Sequence, residues 1–246
     1  MNKLLIALQF LTIFPVRIKG TLKEKDLAAS LAYFPLAGLF IGILSWLVFF
    51  CLSRFLSVQS AVMIALAVSV VCSGGMHLDG LADTADGFYA GKDKEHTLSI
   101  MRDSRIGAMG VIAIVLILLL KVSLLTGLSL DAAGKVLIMM HVFSRWSMVL
   151  ACYRLDYARA EGKAGAFMRY ASKKEVIVSG AICVSVFLAA GGIKGIAVFL
   201  SGLVPVFGFM QLSRKKINGM SGDTLGALNE VAEVSALFFS ALLLKI

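Results

Sequence analysis

The chain has 246 residues, of which 59% are apolar and 16% are charged, and its mean hydropathy is +0.90. Soluble domains average about 45–50% apolar and about 25% charged residues. The composition therefore excludes a soluble globular enzyme, a disordered chain and a disulfide-rich secreted domain. The net charge is +9, but no basic stripe is interleaved with aromatic residues, so we expect no nucleic-acid partner.

The first 16 residues, MNKLLIALQFLTIFPV, resemble a signal peptide in their lysine and apolar run. No small-x-small cleavage site follows, and Pro15 closes the run. We therefore predict a retained amphipathic or half-membrane helix.

Seven apolar segments are long enough to span a bilayer, which takes about 20 residues. The expected spans cover approximately residues 29–52, 57–76, 106–127, 133–153, 176–192, 195–213 and 224–244. With the N-terminus inside, 18 lysines and arginines fall in inner segments and 4 in outer segments, which is the bias of cytoplasmic loops. The sequence predicts one all-α, polytopic membrane domain over residues 1–246, with its polar segments facing the cytoplasm.

The four cysteines lie in or beside these apolar segments and form no CxxC pair. We expect all of them to be buried, reduced thiols. They are Cys51, Cys72, Cys152 and Cys183.

An acidic cluster follows the second expected span, in HLDGLADTADGF (77–88). Asp79, Asp83 and Asp86 are spaced i, i+4, i+7 and would share one face of a helix. Like charges at this spacing repel, so we expect a compensating cation. Mg²⁺ held by carboxylates and substrate phosphates is the usual form. The alternative is a solvated acidic turn in which Asp79 or Asp83 caps a helix.

A second polar stretch, MRDSRIGAMG (101–110), precedes the third expected span. Asp103 could be a fourth metal ligand or a general base, and Arg102 and Arg105 could clamp phosphate oxygens. The alternative is an internal ion pair that anchors the span on the cytoplasmic side.

The last span begins in GMSGDTLGALNEVAE (219–233), which carries four further polar or acidic residues. Glu230 and Glu233 should face the bundle interior, where they could meet Arg145 or a second metal. Asp223 could instead cap the helix. These residues are Asp223, Asn229, Glu230 and Glu233.

Two histidines have open roles. His141 lies four residues before Arg145 on the fourth expected span, so the two could form a polar seam toward a substrate or a structural bond between helices. His77 could be a ligand, a base or only an interfacial residue.

The chain resembles the adenosylcobinamide-GDP ribazoletransferase family, also called cobalamin synthase, in three polar stretches: HLDGLADTADGF (77–88), MRDSRIGAMG (101–110) and MSGDTLGALNE (220–230). FLTIFPV (10–16) and FPLAGLFIG (34–42) resemble the start of that family, and the resemblance runs from about residue 4 to residue 235. It implies an inner-membrane, Mg²⁺-dependent enzyme that joins adenosylcobinamide-GDP to α-ribazole or its 5′-phosphate and releases GMP. The implied partners are these two substrates and the lipid bilayer. A homo-oligomer and association with other cobalamin-assembly enzymes both stay open.

The residues and the resemblance together give a set of expected site residues. The metal ligands are Asp79, Asp83, Asp86 and Asp103; the catalytic residues are Asp103 and His77; the substrate-binding residues are Arg102, Arg105, Asp223, Asn229 and Glu230.

A weaker resemblance links Asp83 to Ala90 with the DxxDGxxA motif of CDP-alcohol phosphotransferases, which also displace a nucleoside monophosphate within a membrane bundle. Gly91 stands where that motif has arginine, and the later part of the motif is not matched. The competing function is a cation- or proton-coupled transporter, whose site would lie near the bilayer midplane. A non-catalytic membrane scaffold is a third interpretation, which leaves three aligned aspartates unexplained.

Overall fold

The computed structural model describes residues 3–16, 18, 22–162 and 164–244, and within these ranges it is all-α, without strands. The predicted fold class is therefore confirmed. The helices are α1 (Lys3–Leu11), α2 (Glu24–Ser30), α3 (Phe34–Leu52), α4 (Val58–Cys72), α5 (Met76–Ala90), α6 (Lys94–Ile100), α7 (Ala108–Thr126), α8 (Leu130–Arg154), α9 (Gly165–Tyr170), α10 (Lys173–Ile217) and α11 (Gly222–Leu243), with a short 3₁₀ turn at Leu31–Tyr33.

Five helical segments of the described chain are long and apolar enough to cross a membrane, and α4 with α5 would make a sixth as a bent pair. The 45-residue α10 is one of these five segments, although the chain reverses its direction at Gly192 (φ 58°, ψ −141°). The rings of Phe187 and Phe199 lie 5.6 Å apart, whereas twelve residues of straight helix would separate them by about 18 Å. The two limbs of α10 therefore pack against each other, and counting them separately gives the seven segments predicted.

The second expected span, 57–76, is wrong at its C-terminal end. α4 stops at Cys72, and α5 leaves it at an angle of 87°. Gly74 (φ 63°) and Gly75 (φ 70°) adopt left-handed backbone that glycine tolerates best, and the Gly75 N–H donates to the Val70 carbonyl at 2.9 Å, closing the helix. The turn swings the aspartate-bearing helix out of line with α4.

The most buried of the candidate spans is α8, in which 89% of the most apolar 18-residue stretch is buried inside the protein. α3 packs closely along it, because a Cβ at Gly38 would meet the His141 carbonyl oxygen at 2.3 Å. Such close backbone approach through small residues is typical of membrane helix pairs. In contrast, only 17% of the most apolar 18-residue stretch is buried in each of α7 and α10, so most of the surface of these helices is available to lipid.

The predicted N-terminal helix is confirmed as α1. It buries Ile6, Ala7 and Leu11 and packs on α2 and α3. The Ile13 N–H donates to the Cys72 carbonyl at 2.8 Å, so the segment after α1 is tied to the end of α4.

The prediction for the cysteines is wrong at one position. All four are free thiols, but only Cys72, Cys152 and Cys183 are buried. Cys51 is exposed because it lies on the outer surface of α3, next to the exposed Phe50.

Candidate active site

A cavity of about 390 Å³ opens where the N-terminal ends of α5 and α11 meet the C-terminal end of α8. Its polar wall is formed by His77, Asp79, Tyr157, Arg159 and Asp223. Its apolar wall comes from α1, α3, α8, α9 and α11. The main apolar residues are Phe10, Phe34, Met148, Cys152, Phe167 and Leu225.

The two acidic helices touch through glycines. A Cβ at Gly80 of α5 would lie 2.6 Å from the Asp223 carbonyl oxygen, and one at Gly226 of α11 would lie 3.2 Å from the Met76 carbonyl oxygen. The main chains are therefore in contact. This crossing brings Asp79 and Asp223 to the same cavity, although 144 residues separate them in the sequence.

Asp223 is paired with Arg159, whose Nη2 donates to the Asp223 carboxylate at 2.5 Å. The loop that carries Arg159 is pinned to the start of α11. Here the Ala158 N–H donates to the Met220 carbonyl at 2.8 Å, and the Met220 N–H donates to the Asp156 carbonyl at 2.9 Å. The Arg159 Nε–H is buried and has no partner within the described residues.

The three aspartates of α5 lie on one helix, as predicted, but they have different surroundings. Asp79 lines the cavity and is exposed. Asp83 lies one turn further along, within electrostatic range of Asp79 and Asp223. Asp86 accepts the Gly107 N–H at 2.7 Å and the Gly110 N–H at 2.9 Å.

Asp86 therefore caps the N-terminus of α7, and the sequence assigned the alternative role of helix cap to the wrong aspartates. Among the described residues, neither Asp79 nor Asp83 caps a helix. The neighbouring glycines permit the arrangement, because a Cβ at Gly107 or Gly110 would approach the Asp86 carboxylate to 2.5 or 2.6 Å. The positive end of the helix also favours a carboxylate at this point.

Asp103 lies on the loop before α7 and forms the internal ion pair considered above. Arg105 donates to it from Nε at 3.1 Å and from Nη2 at 2.7 Å. These hydrogen bonds lower the pKa of Asp103 to about 2, which makes it a weak proton acceptor in this conformation. The Arg105 side chain is 87% exposed and forms an ion pair with Asp103.

Arg102, next to this pair in the sequence, is exposed and is not part of the cavity lining. Burial raises the pKa of the lining residue Tyr157, and the positive charges of Arg159 and Arg102 oppose that rise.

A second polar cluster lies inside the bundle. Lys121 of α7 donates to Glu230 and Glu233 of α11, both at 2.6 Å. Arg145 of α8 donates to the other oxygen of Glu233, and His141 Nδ1 lies 3.0 Å from that oxygen. The charged side chains are at most 5% exposed. Two cations balance two carboxylates.

The cluster bears on two of the expectations from the sequence. Glu233 faces the interior and meets Arg145, as predicted, and both His141 and Arg145 of α8 contact Glu233 of α11. Asn229 donates to Glu230 at 3.3 Å and to Glu233 at 3.2 Å. Asn229 and Glu230, expected as substrate-binding residues, therefore lie in the buried cluster, whereas Asp223 lies at the cavity.

His77 lies between the cavity and the cluster. It is buried, and its Nε2 has no hydrogen-bond partner in the part of the chain that is described. It also lines a void of about 10 Å³ whose other walls include Lys121, Arg145 and Glu233. That volume suits roughly one water molecule.

Among the described residues, no three His, Cys, Asp or Glu side chains are placed to hold a metal ion by themselves. The donor set is nevertheless suited to a hard cation, because Asp79 and Asp223 line the cavity and Asp83, one turn further along α5, lies within electrostatic range of both. Mg²⁺ commonly takes one or two carboxylates and completes its shell with water and substrate phosphates. The residues fit an ion that bridges protein and substrate, not an all-protein cage.

Residues 3–241 match the family model described as cobalamin-5-phosphate synthase. The chain belongs to this family. It is 38% identical to the adenosylcobinamide-GDP ribazoletransferase of Desulforamulus reducens, covering 96% of this chain and 95% of the relative. The proteins of the same name from Syntrophobacter fumaroxidans (40%, 96% of each chain) and Clostridium novyi (37%, 99% and 97%) are similarly related. No solved structure matches the chain.

The structure makes two residues prominent that are not among the expected site residues. Arg159 pairs with Asp223, and their separation of 64 residues in the sequence hides the pair. Lys121 pairs with Glu230 and Glu233. A lone lysine in an apolar helix requires a buried acid, and Glu230 and Glu233 were the candidates available.

Proposed function

We propose that this chain transfers the cobinamide phosphate of adenosylcobinamide-GDP to α-ribazole or its 5′-phosphate and releases GMP. Two observations support the proposal. The chain matches its family over residues 3–241. The relatives that align with nearly the whole chain are named for this activity. The cavity also brings carboxylates, a guanidinium group and a buried histidine beside an apolar wall.

The transfer forms a bond from an acceptor hydroxyl oxygen to the cobinamide-side phosphorus and breaks the bond from that phosphorus to GMP. Such reactions depend mainly on alignment and charge neutralisation. Arg159 lines the cavity and supplies a positive charge for a phosphate oxygen, while its Nη2 stays on Asp223. Arg102 is a second cation close enough to act electrostatically on Tyr157 of the cavity lining.

Asp79 and Asp83, with Asp223 opposite them, would hold Mg²⁺ against the diphosphate. When bound, the ion neutralises phosphate charge and polarises the phosphoryl group. Asp86 serves this site indirectly, because its carboxylate fixes the start of α7 against α5.

The hydroxyl proton must leave the acceptor as the new bond forms. We assign this role to His77, which lines the cavity and whose Nε2 is unpartnered within the described residues. Asp103 is paired with Arg105 and is not part of the cavity lining.

The charge bias of the loops supports a cytoplasmic-membrane protein whose cavity faces the cytoplasm. The cavity loop carries Arg159 and follows Arg154 at the end of α8, and the loop before α7 carries Arg102 and Arg105. Cytoplasmic loops are the ones enriched in such residues.

The test uses purified protein in nanodiscs with adenosylcobinamide-GDP, α-ribazole and either Mg²⁺ or EDTA, with GMP and the corrinoid product measured by mass spectrometry. We expect product only with Mg²⁺. Asp83→Asn should reduce GMP release by at least about 100-fold, whereas Asp131→Asn, which removes an exposed carboxylate paired with Lys135, should not. Full activity of Asp83→Asn would refute the metal assignment. Substrate flux across sealed vesicles without product would favour a transporter.

A further inference from the structure

The cavity is divided by polarity and by depth. The charged lining residues, such as Asp79 and Arg159, are exposed or half-buried, whereas the polar residue His77 is buried. Most apolar lining residues are buried: Phe34, Phe167 and Met148 are at most 4% exposed. A ligand that fills the cavity therefore has an apolar inner end and a polar, anionic or hydroxylated outer end.

The inner end is aromatic. The ring of Phe10 lies 4.6 Å from that of Phe167 and 6.1 Å from that of Phe34, and Phe34 and Phe167 are 5.6 Å apart. These three phenylalanines, from α1, α3 and α9, are here called the aromatic wall. Planar rings stack and form edge contacts with such a surface.

We infer that the aromatic wall binds the benzimidazole base of the acceptor, with the acceptor's ribose directed toward Arg159 and Asp223. This inference rests on the proposed function. The cavity of about 390 Å³ is in the size range of sites for small, drug-sized ligands, whereas a corrin ring with its side chains is much larger and would stay outside the wall.

The chemistry of the wall distinguishes the acceptor base from the guanine of the donor. Guanine carries donors and acceptors around its edge, and burying them without partners costs free energy. The wall and its neighbours Met148 and Cys152 offer almost no hydrogen bonding beyond a weak thiol. The hydrocarbon edge of benzimidazole has no such requirement.

The inference gives α1 a role in acceptor selection. Phe10 is the only member of the aromatic wall that is half-buried rather than buried, so its ring is the most available to a ligand. Phe14 offers a matched control among the described residues: it lies four residues later, packs edge-on against Phe40 at 5.2 Å and does not line the cavity.

The test measures KM for each substrate and direct binding of radiolabelled α-ribazole to the full chain in nanodiscs. Phe10→Ala should raise KM and Kd for α-ribazole about tenfold, as loss of one base-stacking ring does, with KM for adenosylcobinamide-GDP changed less than about twofold. Phe10→Tyr should restore acceptor binding, and Phe14→Ala should match the wild type. Phe10→Leu keeps apolar packing of α1 and should also weaken α-ribazole binding, so the test does not depend on the alanine variant folding.

Three results would overturn the inference: a higher KM for adenosylcobinamide-GDP alone, competition by guanosine for the α-ribazole site, or unchanged acceptor binding in folded Phe10→Ala. The proposed function fails separately, if the wild-type protein forms no product. In that case the direct binding measurement still decides whether the aromatic wall takes the benzimidazole base.

Discussion

Replacing Glu233 by glutamine removes a negative charge from the centre of the bundle while keeping the size of the side chain. Glu233 faces Lys121, Arg145 and His141, whereas Glu230 faces only Lys121 among these groups. The two glutamates are thus a matched pair, equally buried on the same helix but with different numbers of cationic partners.

The contacts give the size of the effect. Either substitution leaves two cations facing one anion, but only Glu233→Gln also leaves Arg145 without a carboxylate partner in the described structure. Removing one partner of a buried ion pair costs about 3–5 kcal/mol. Glu230→Gln leaves both cations bonded to Glu233, so its cost should be nearer that of a buried polar group that loses its partner, about 1–3 kcal/mol.

The free energy of unfolding can be measured by titrating purified protein in mixed micelles with sodium dodecyl sulfate. A thiol-reactive dye reports unfolding, because Cys152 and Cys183 are buried in the native protein and become reactive when it opens. The exposed Cys51 is first replaced by serine to remove its background signal. Combining Glu233→Gln with Arg145→Gln removes the excess cation, so the double variant should be more stable than the sum of the single effects predicts.

The cost in unfolding free energy is expected to follow the number of cationic partners of each glutamate. That expectation would be refuted if Glu233→Gln destabilised the protein no more than Glu230→Gln, or by less than about 1 kcal/mol. Additive effects of Glu233→Gln and Arg145→Gln would contradict it as well, because they would show that the two residues do not interact.

Three further predictions concern the acidic helix and its surroundings. Gly80→Ala places a Cβ 2.6 Å from the Asp223 carbonyl oxygen; α5 and α11 must separate, and activity should fall about 10- to 100-fold, as for other small misplacements of catalytic groups. Asp86→Asn weakens the cap of α7 and should cost about 1 kcal/mol of stability, measured by the same titration. Asp103→Asn should unfold at the wild-type temperature at each pH from about 5 to 8, because this exposed carboxylate has a pKa of about 2, stays ionised there and adds little stability.

Each of these has its own control. Gly208→Ala meets no atom within 4 Å and should be fully active; equal loss in both glycine variants would show that helix content, not contact, is responsible. Asp83→Asn should retain stability better than Asp86→Asn, and the reverse order would contradict the capping role. A pH-dependent difference in unfolding temperature for Asp103→Asn would show that its carboxylate is engaged more deeply than the Arg105 pair suggests.

Much of the fold follows from the sequence because membrane spans are long and apolar. The N-terminal helix, α7, α8 and α11 lie close to their predicted positions, and the run from 176 to 213 is divided near Gly192 as expected. The bend after Cys72 was not predicted. The apolar sequence continues through Gly74 and Gly75, so it predicts an unbroken span. The helix ends there because both glycines adopt left-handed backbone.

The candidate site was predictable where its geometry is local. The spacing of Asp79, Asp83 and Asp86 placed them on one helix, but their separate roles depend on what lies opposite. Asp86 meets backbone N–H groups 21 and 24 residues away, and Asp223 meets Arg159. Pairings of this kind are set by how helices cross, which periodicity in one segment does not encode.

The Lys121–Glu230 pair has a consequence for biogenesis. Lys121 is synthesised 109 residues before Glu230, so α7 enters the bilayer while its lysine still lacks a counter-ion. An ammonium group at the centre of a helix disfavours insertion by about 2.5–3.5 kcal/mol, and the apolar remainder of α7 must outweigh that until the last helix emerges from the ribosome. Truncated chains that end before α11 should therefore be held in the membrane poorly and be early targets for quality-control proteases.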